Sequence, residues 1–308
     1  MSGDAAPLSP DQIREANLRY HDHAARSYDA KWGISFDGLA YDQVLAKVKR
    51  ALGDPLPTFG RALEIGSGTG YFSLNLMRAG VIKRLTCTDL SEGMLEALQR
   101  NATALGLAVE TVPCGAEQLP FPDRSFDLVL GHAVLHHLPD LERSLAELAR
   151  VLKPGGALLF AGEPSRFGNS IAALPKRFGY QLAPLWRRAV GAKPRSQANG
   201  SGPAGGAEQL EAVVDVHVFT PRQLVQLATG AGLADARVVG EELLANLFGW
   251  TNRALEATAE PQTIPWLWRQ YAYRGYLALQ ALDRALLEPK LPSALFYNLT
   301  LVARRSRR

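Results

Sequence analysis

The chain has 308 residues, 47% apolar and 21% charged, the balance of an ordinary soluble globular protein long enough for one large domain or a domain with a cap. Its net charge of +4 is mild, and part of it is the run Arg304-Arg305-Ser306-Arg307-Arg308, read as a solvated tail, so no nucleic-acid partner is expected. Two cysteines, Cys87 and Cys114, suit a reducing cytoplasm rather than a disulfide framework, Met1 to Pro10 lacks the apolar core of a signal peptide, and no apolar run is long enough for a transmembrane segment.

Residues Asp11 to Leu52 read mostly as helix, opened by the Ser9-Pro10 cap, and Gly53-Asp54-Pro55 ends the region. From Arg61 strand and helix alternate, which implies a parallel sheet. The apolar run Ala62 to Ile65 is a strand, Gly66-Ser67-Gly68-Thr69-Gly70 a turn, and Leu74, Leu76 and Met77 the start of a helix. Further strands are read at Arg84 to Thr88, Val109 to Val112, Phe126 to Leu130 and Ala157 to Ala161, with helices at Glu92 to Leu105, capped by Ser91, and Leu141 to Leu152. Ser165 to Arg195 carries helical patches, and Ser196 to Ala207 has the composition of a flexible loop. Thr220-Pro221 caps a helix to Leu227, Ala236 to Val239 is a sixth strand, Pro265 opens an amphipathic helix, and Leu295 to Val302 alternates like a last strand.

A turn with three glycines at alternate positions lets backbone N–H groups approach a ligand closely. A dinucleotide fingerprint needs glycine or alanine at the sixth position, where this chain has Tyr71; Gly70 comes one residue early and the acid Glu64 precedes the turn, all against NAD. Asp89 ends the second strand, roughly 20 residues on, where an acid can accept both hydroxyls of a ribose.

Six segments in order carry a resemblance: Glu64 to Gly70; Thr88-Asp89-Leu90-Ser91-Glu92-Gly93-Met94-Leu95; Ala116 to Asp123; Ser125-Phe126-Asp127-Leu128-Val129; Leu135-His136-His137-Leu138; and Val151-Leu152-Lys153-Pro154-Gly155-Gly156. Over about Leu63 to Pro164 the chain resembles the class I S-adenosylmethionine-dependent methyltransferases, in particular the ubiquinone/menaquinone-biosynthesis-like, "type 11" group. The resemblance implies an α/β, Rossmann-like, mostly parallel seven-stranded sheet with helices on both faces, to which the chain adds a mainly helical cap. It implies S-adenosylmethionine as cofactor, no metal, and these roles: Gly66, Gly68 and Gly70 against the methionine part, Glu64 orienting its amino-acid end, Asp89 on the ribose, Leu90 and Met94 flanking the adenine, and Ala116 and Glu117 at its edge. Many relatives carry an aspartate where this chain has Gly115, which leaves adenine recognition to backbone groups or Glu117.

Methyl transfer asks for alignment and exclusion of water, and for a base only where the nucleophile is protonated. Candidate bases are His132, which also lines the donor site in the family, then His136 and His21 or His23; His136 and His137 open the helix after strand four, where packing or capping is the plainer role. Tyr28, with Tyr20 and Trp32, falls where relatives close over the cofactor. The expected organisation is 1–60 an N-terminal helical lid, 61–165 the S-adenosylmethionine-binding core, 166–219 a cap insertion, 220–240 a core helix and strand, 241–293 a helical cap insertion, and 294–308 the last strand and a basic tail. Both insertions leave carboxyl ends of strands, the ligand edge of a parallel sheet. Their aromatic content suits a small, apolar or aromatic acceptor methylated at O, C or N, and the basic residues from Arg166 to Arg195 suit peripheral membrane contact. The alternative is a methyltransferase-fold protein that binds S-adenosylmethionine without catalysing transfer.

Overall fold

Two-residue alternation builds a sheet buried on both faces. Leu63 and Ile65 of β1 (Phe59–Ile65) turn to one face and Ala62 to the other. The same alternation divides Val129 from Leu128 and Leu130 in β4 (Phe126–His132), and Leu158 and Phe160 from Leu159 and Ala161 in β5 (Leu152–Pro164). The computed structural model describes residues 9–25, 28–29, 34–195 and 216–307, and adds β2 (Ile82–Asp89), β3 (Glu110–Pro113), β6 (Leu233–Glu241) and β7 (Asn298–Arg305). The order is β3-β2-β1-β4-β5-β7-β6, parallel except for β7.

The first helix, α1 (Pro10–Ala24), starts at a capping box in which Ser9 and Gln12 satisfy each other's backbone N–H. One face of the sheet is covered by α2 (Gly38–Leu52), α3 (Tyr71–Arg78) and α4 (Glu92–Ala104), which bury Val44, Val48, Phe72, Leu74 and Leu98 against it. On the other, Leu145 and Leu148 of α5 (Leu141–Val151) and Leu224 of the helix at Pro221–Gly230 fill the second half of the core.

After β5 the chain enters α6 (Arg166–Val190); α7 is the Pro221–Gly230 helix; α8 (Leu244–Ala257) and α9 (Trp266–Leu282) follow β6. Because β7 is antiparallel to both β5 and β6, those two run the same way, so α6, α8 and α9 rise from the edge where β1, β2 and β4 also end.

Four expectations are corrected. The segment after β5 is one 25-residue helix, not patches: Pro175 and Pro184 argue for breaks, but its small-residue face packs on α8 so closely that a Cβ at Gly179 would lie 2.7 Å from that of Ala254. Leu295 lies in a 3₁₀ turn, Ser293–Leu295, and the last strand runs Asn298–Arg305. Arg304 and Arg305 are therefore strand, not solvated tail, and the Arg305 guanidinium donates to the carbonyls of Ala149, Arg150 and Leu152 (2.8, 2.7 and 2.5 Å), closing the end of α5. His136 and His137 sit in a 3₁₀ turn at Leu135–His137, ahead of α5. The loop read at Ser196 to Ala207, Trp32 and the side chain of His23 lie outside the described residues.

Candidate active site

The chain passes from β1 to β2 and β3 on one side, then returns to β4 and β5 on the other, so the order reverses at β1. Ligands of open α/β sheets bind at that point, beyond the carboxyl ends. A cleft of about 1480 Å³ opens there, with Gly66, Asp89, His132, Glu242, Trp250 and Tyr276 in its wall. It exceeds the several hundred cubic ångströms typical of a one-ligand pocket and has room for two.

The glycine turn forms one wall. Gly66 is left-handed (φ +57°), and a Cβ there would collide with Val134, so packing as well as conformation demands glycine. At Gly68 (φ +51°) a Cβ would meet nothing within 4 Å, because this part of the turn faces open space. Gly70 behaves differently: it caps α3, a Cβ there would lie 2.7 Å from Leu74 Cδ1, and it does not line the cleft.

Two acids flank the turn at the ends of neighbouring strands. Glu64 is wholly buried and accepts a hydrogen bond from Ser73 Oγ; burial pushes its carboxyl up to about 8 against that stabilising bond. Asp89 accepts from Gly68 N and Ser91 N, both at 2.9 Å, and burial raises its pKa too. Two of roughly four lone-pair positions are used, which leaves acceptor capacity toward the cleft. A glycine turn facing space, a carboxyl for a cationic end and a carboxylate for a diol fit S-adenosylmethionine.

Leu90, Ala116 and Glu117 line the same end of the cleft, while Met94 does not: it is covered by Ala25 and Tyr28. A Cβ on Gly115 would lie 3.0 Å from Glu117 Oε2, so the Glu117 carboxylate fills the space that an aspartate at 115 would need. Glu117 pairs with Arg14 at 3.4 Å.

The N-terminal segment is tied across this end. Ser91 Oγ donates to Asp22, Thr69 Oγ1 donates to Asp29 at 2.6 Å, Asn101 Nδ2 donates to Asp29 at 3.2 Å, and Asn17 Nδ2 donates to the His137 carbonyl at 3.3 Å. Tyr28 lines the cleft beside His21, their ring centroids 6.0 Å apart.

His132 ends β4 on the cleft floor, with its ring 5.2 Å from that of Phe72 and 6.0 Å from that of Tyr71. Burial, then the charge of Lys47, presses its pKa down to about 3, so the imidazole is neutral at pH 7. His136 is placed otherwise: its Nδ1 lies 2.8 Å from Glu163, whose buried carboxylate also accepts from the backbone N of Val134, Leu135 and His136 at 3.0, 3.0 and 3.1 Å. The Glu163 carboxylate thus holds the turn after β4 in shape.

Toward the cap, Glu242 has a left-handed backbone (φ +62°) and accepts from Gln280 Nε2 at 2.7 Å and from Tyr276 Oη and Asn298 Nδ2 at 2.9 Å. Strained backbone in a bulky residue persists where surroundings over-determine it, commonly at functional sites. Lys47 faces the same region, 3.0 Å from Glu241; burial opposes its charge, but Glu241 and Glu242 outweigh it and its pKa is raised. Neither Glu163 nor the Lys47–Glu241–Glu242 group was predicted. A signal existed: Glu163 and Glu241-Glu242 are acids just where apolar strands end on the ligand edge.

The fold is the Rossmann-like fold of methyltransferases. Over 98% of this chain it aligns with phosphoethanolamine N-methyltransferase 2 of Haemonchus contortus, solved with phosphomonomethylethanolamine and S-adenosylhomocysteine (TM-score 0.57, 17% identity, 61% of that chain). It aligns equally with the [4+2]-cyclase SpnF (TM-score 0.58, 19% identity, 98% of this chain and 99% of that one). Residues 63–160 match the methyltransferase domain family. Curated relatives include malonyl-(acyl-carrier protein) O-methyltransferase of Methylococcus capsulatus, 34% identical over 177 residues (53% of this chain, 58% of that protein). A second is the ubiquinone/menaquinone biosynthesis C-methyltransferase UbiE of Bordetella parapertussis, 38% identical over 131 residues (42% of this chain, 50% of that protein). The chain thus spans about half the length of the curated relatives it matches.

Proposed function

We propose that this protein transfers a methyl group from S-adenosylmethionine to a small, apolar or aromatic acceptor. The observation that carries the reading is the pair Glu64 and Asp89, at the ends of β1 and β2 on either side of the glycine turn, opening on one cleft with room for a second ligand. S-adenosylmethionine, when bound, supplies a methyl group already activated on a sulfonium.

The chain's own residues then bind, orient and exclude water. Gly66 and Gly68 keep the turn open, Glu64 offers its carboxyl to the cationic amino-acid end, Asp89 accepts from the ribose, and Leu90, Ala116 and Glu117 border the adenine. Tyr28 and α1, tied down through Asp22, Asp29 and Asn17, act as the lid. Residues 61–165 serve as the donor-binding core, and the insertions on either side of 220–240 as the acceptor cap.

The cap presents Trp250, Tyr273 and Leu277 to the cleft, and Tyr297, just before β7, joins them, surfaces for an apolar or aromatic body. On its floor the Lys47 ammonium is already balanced by Glu241 and Glu242, so the neutral His132 is the polar group that meets an acceptor oxygen. His132 orients that oxygen by hydrogen bonding rather than stripping a strongly held proton, since a base with a conjugate-acid pKa near 3 is weak. His136, committed to Glu163, is the lesser candidate for a catalytic role. Relatives named as a malonyl-(acyl-carrier protein) O-methyltransferase and a ubiquinone/menaquinone biosynthesis C-methyltransferase support methylation at oxygen or carbon. Both thiols are free, and we place the protein in the cytoplasm.

The resemblance to a cyclase keeps a second reading open, a protein that binds S-adenosylmethionine without transferring its methyl. Calorimetry with S-adenosylmethionine against NAD tests the donor site, and release of S-adenosylhomocysteine with phenolic and lipophilic extracts tests transfer. Tight binding without release across such extracts supports the second reading; binding of NAD alone overturns both.

A further inference from the structure

Helix α6 is more exposed on one line than a cap helix needs to be. Phe167, Leu174, Phe178 and Leu185 are 44, 69, 56 and 64% exposed. At 3.6 residues per turn these four positions fall within about 40° of arc. The buried side of the helix, Gly168, Ala172, Gly179, Ala183 and Trp186, points elsewhere and packs on α8. The apolar stripe is therefore not the helix's packing face.

Charge is arranged around that stripe. From Arg166 to Arg195 there are seven lysines and arginines and no acid. Those on the inner side are engaged: Lys176 stacks 3.8 Å over the Trp250 ring, and Arg187 donates to Thr258 Oγ1 at 2.6 Å. Arg166, Arg177 and Arg188, spaced eleven apart, are exposed in a second line, about 80° round the helix from the first. On the packed side of the helix, α9 touches α6 through Trp268 against Trp186, exposes Trp266, Leu267 and Tyr271, and carries Arg269 and Arg274 with no acid.

We infer that α6 docks the protein on the surface of an anionic lipid bilayer, its apolar line entering the interface and its arginine line meeting the headgroups. A long helix with bulky apolar residues on one side and only cations beside them is the pattern of an interfacial helix. No helix among the described residues is long and apolar enough to cross a membrane, so the contact is peripheral. An antiparallel two-fold contact with a second copy suits this face poorly, because it sets each arginine line against its twin. Docking here is independent of which reaction the cleft performs.

The test is co-sedimentation of the full chain with phosphatidylcholine vesicles with and without phosphatidylglycerol. Binding is expected only with the anionic lipid, and Arg166→Glu/Arg177→Glu/Arg188→Glu should weaken it about a hundredfold or more. Leu174→Glu/Phe178→Glu should abolish it, with an unchanged circular dichroism spectrum; should the triple variant misfold, the glutamine triple replaces it with a smaller loss. Equal binding to neutral vesicles, no binding, or indifference to these substitutions overturns the proposal. So does a dimer in solution that Leu174→Glu/Phe178→Glu dissociates while the parent protein ignores vesicles.

Discussion

Replacing Glu64 by glutamine should make the unliganded protein more stable and its cofactor binding worse. The buried carboxyl has a pKa near 8 in the folded chain against 4.5 as its ordinary value. Between those values the folded state holds a proton that the unfolded state has released, so stability falls as pH rises through that window and stays low above it. At 1.36 kcal/mol per pKa unit, ionised Glu64 costs the folded protein about 5 kcal/mol, an order-of-magnitude figure. Glutamine is never ionised and can still accept from Ser73 Oγ. The difference in stability between Glu64→Gln and the parent should thus be near zero at pH 5 and reach about 3–5 kcal/mol at pH 9, a rise in melting temperature of roughly 6–20 °C. Thermal melts of both proteins across that range isolate this one group, since titrations other than those of its neighbours Asp89 and Cys87 are common to them. S-adenosylmethionine, whose cationic end favours the ionised carboxylate, should bind the variant at least about tenfold more weakly. A stability difference that does not change with pH would refute the burial reasoning, whatever happens to binding.

Asp89→Ala removes the acceptor of Gly68 N and Ser91 N as well as the ribose partner, so calorimetry should show cofactor affinity falling about tenfold or more; unchanged affinity contradicts the assignment. Glu163→Gln turns an amide donor toward N–H groups that a carboxylate had served, and should cost about 2–4 kcal/mol in a denaturant melt; a loss below about 1 kcal/mol would show that the turn does not depend on it. The folded pKa of His132 lies below its unfolded value of 6.5, so its contribution to stability is whole above pH 6.5 and is lost as pH falls toward 3, and transfer should show no His132 limb from pH 5 to 9; a limb in that range that His132→Asn removes would reverse the reading. Gly115→Asp should weaken cofactor binding by crowding Glu117, and Glu117→Ala in the same chain should restore part of it; an additive pair of losses in a double-mutant cycle would deny the shared space.

Much of the donor side was legible because its signals are local. The Ser91 cap is realised at Met94 N, 3.1 Å away, and the glycine turn, Asp89 and the alternating strands are each specified within a few residues. Gly70 and Met94 show the limit: both sit in the expected segments, yet tertiary neighbours, Leu74 and Leu98 for one and Ala25 and Tyr28 for the other, turn them to packing. Proline penalties at 175 and 184 misled because packing on α8 outweighs them, and Arg305 looked like tail because its partners lie some 155 residues earlier. The acceptor side was least legible for the same reason. Glu242 gathers its partners from 246, 276, 280 and 298, a juxtaposition with no local pattern.

The place of β7 in the sheet bears on how the protein is made. That strand separates β5 from β6, so neither completes its pairing until residues 298–305 arrive, about 130 residues after β5 has formed. At translation speeds of 5–20 residues per second, β5 waits on the order of ten seconds with a free edge. An unpaired apolar strand is an invitation to intermolecular pairing. Soluble yield should therefore fall when elongation is slowed and rise with chaperone supply, and the core through β5 should be sticky when expressed without β7.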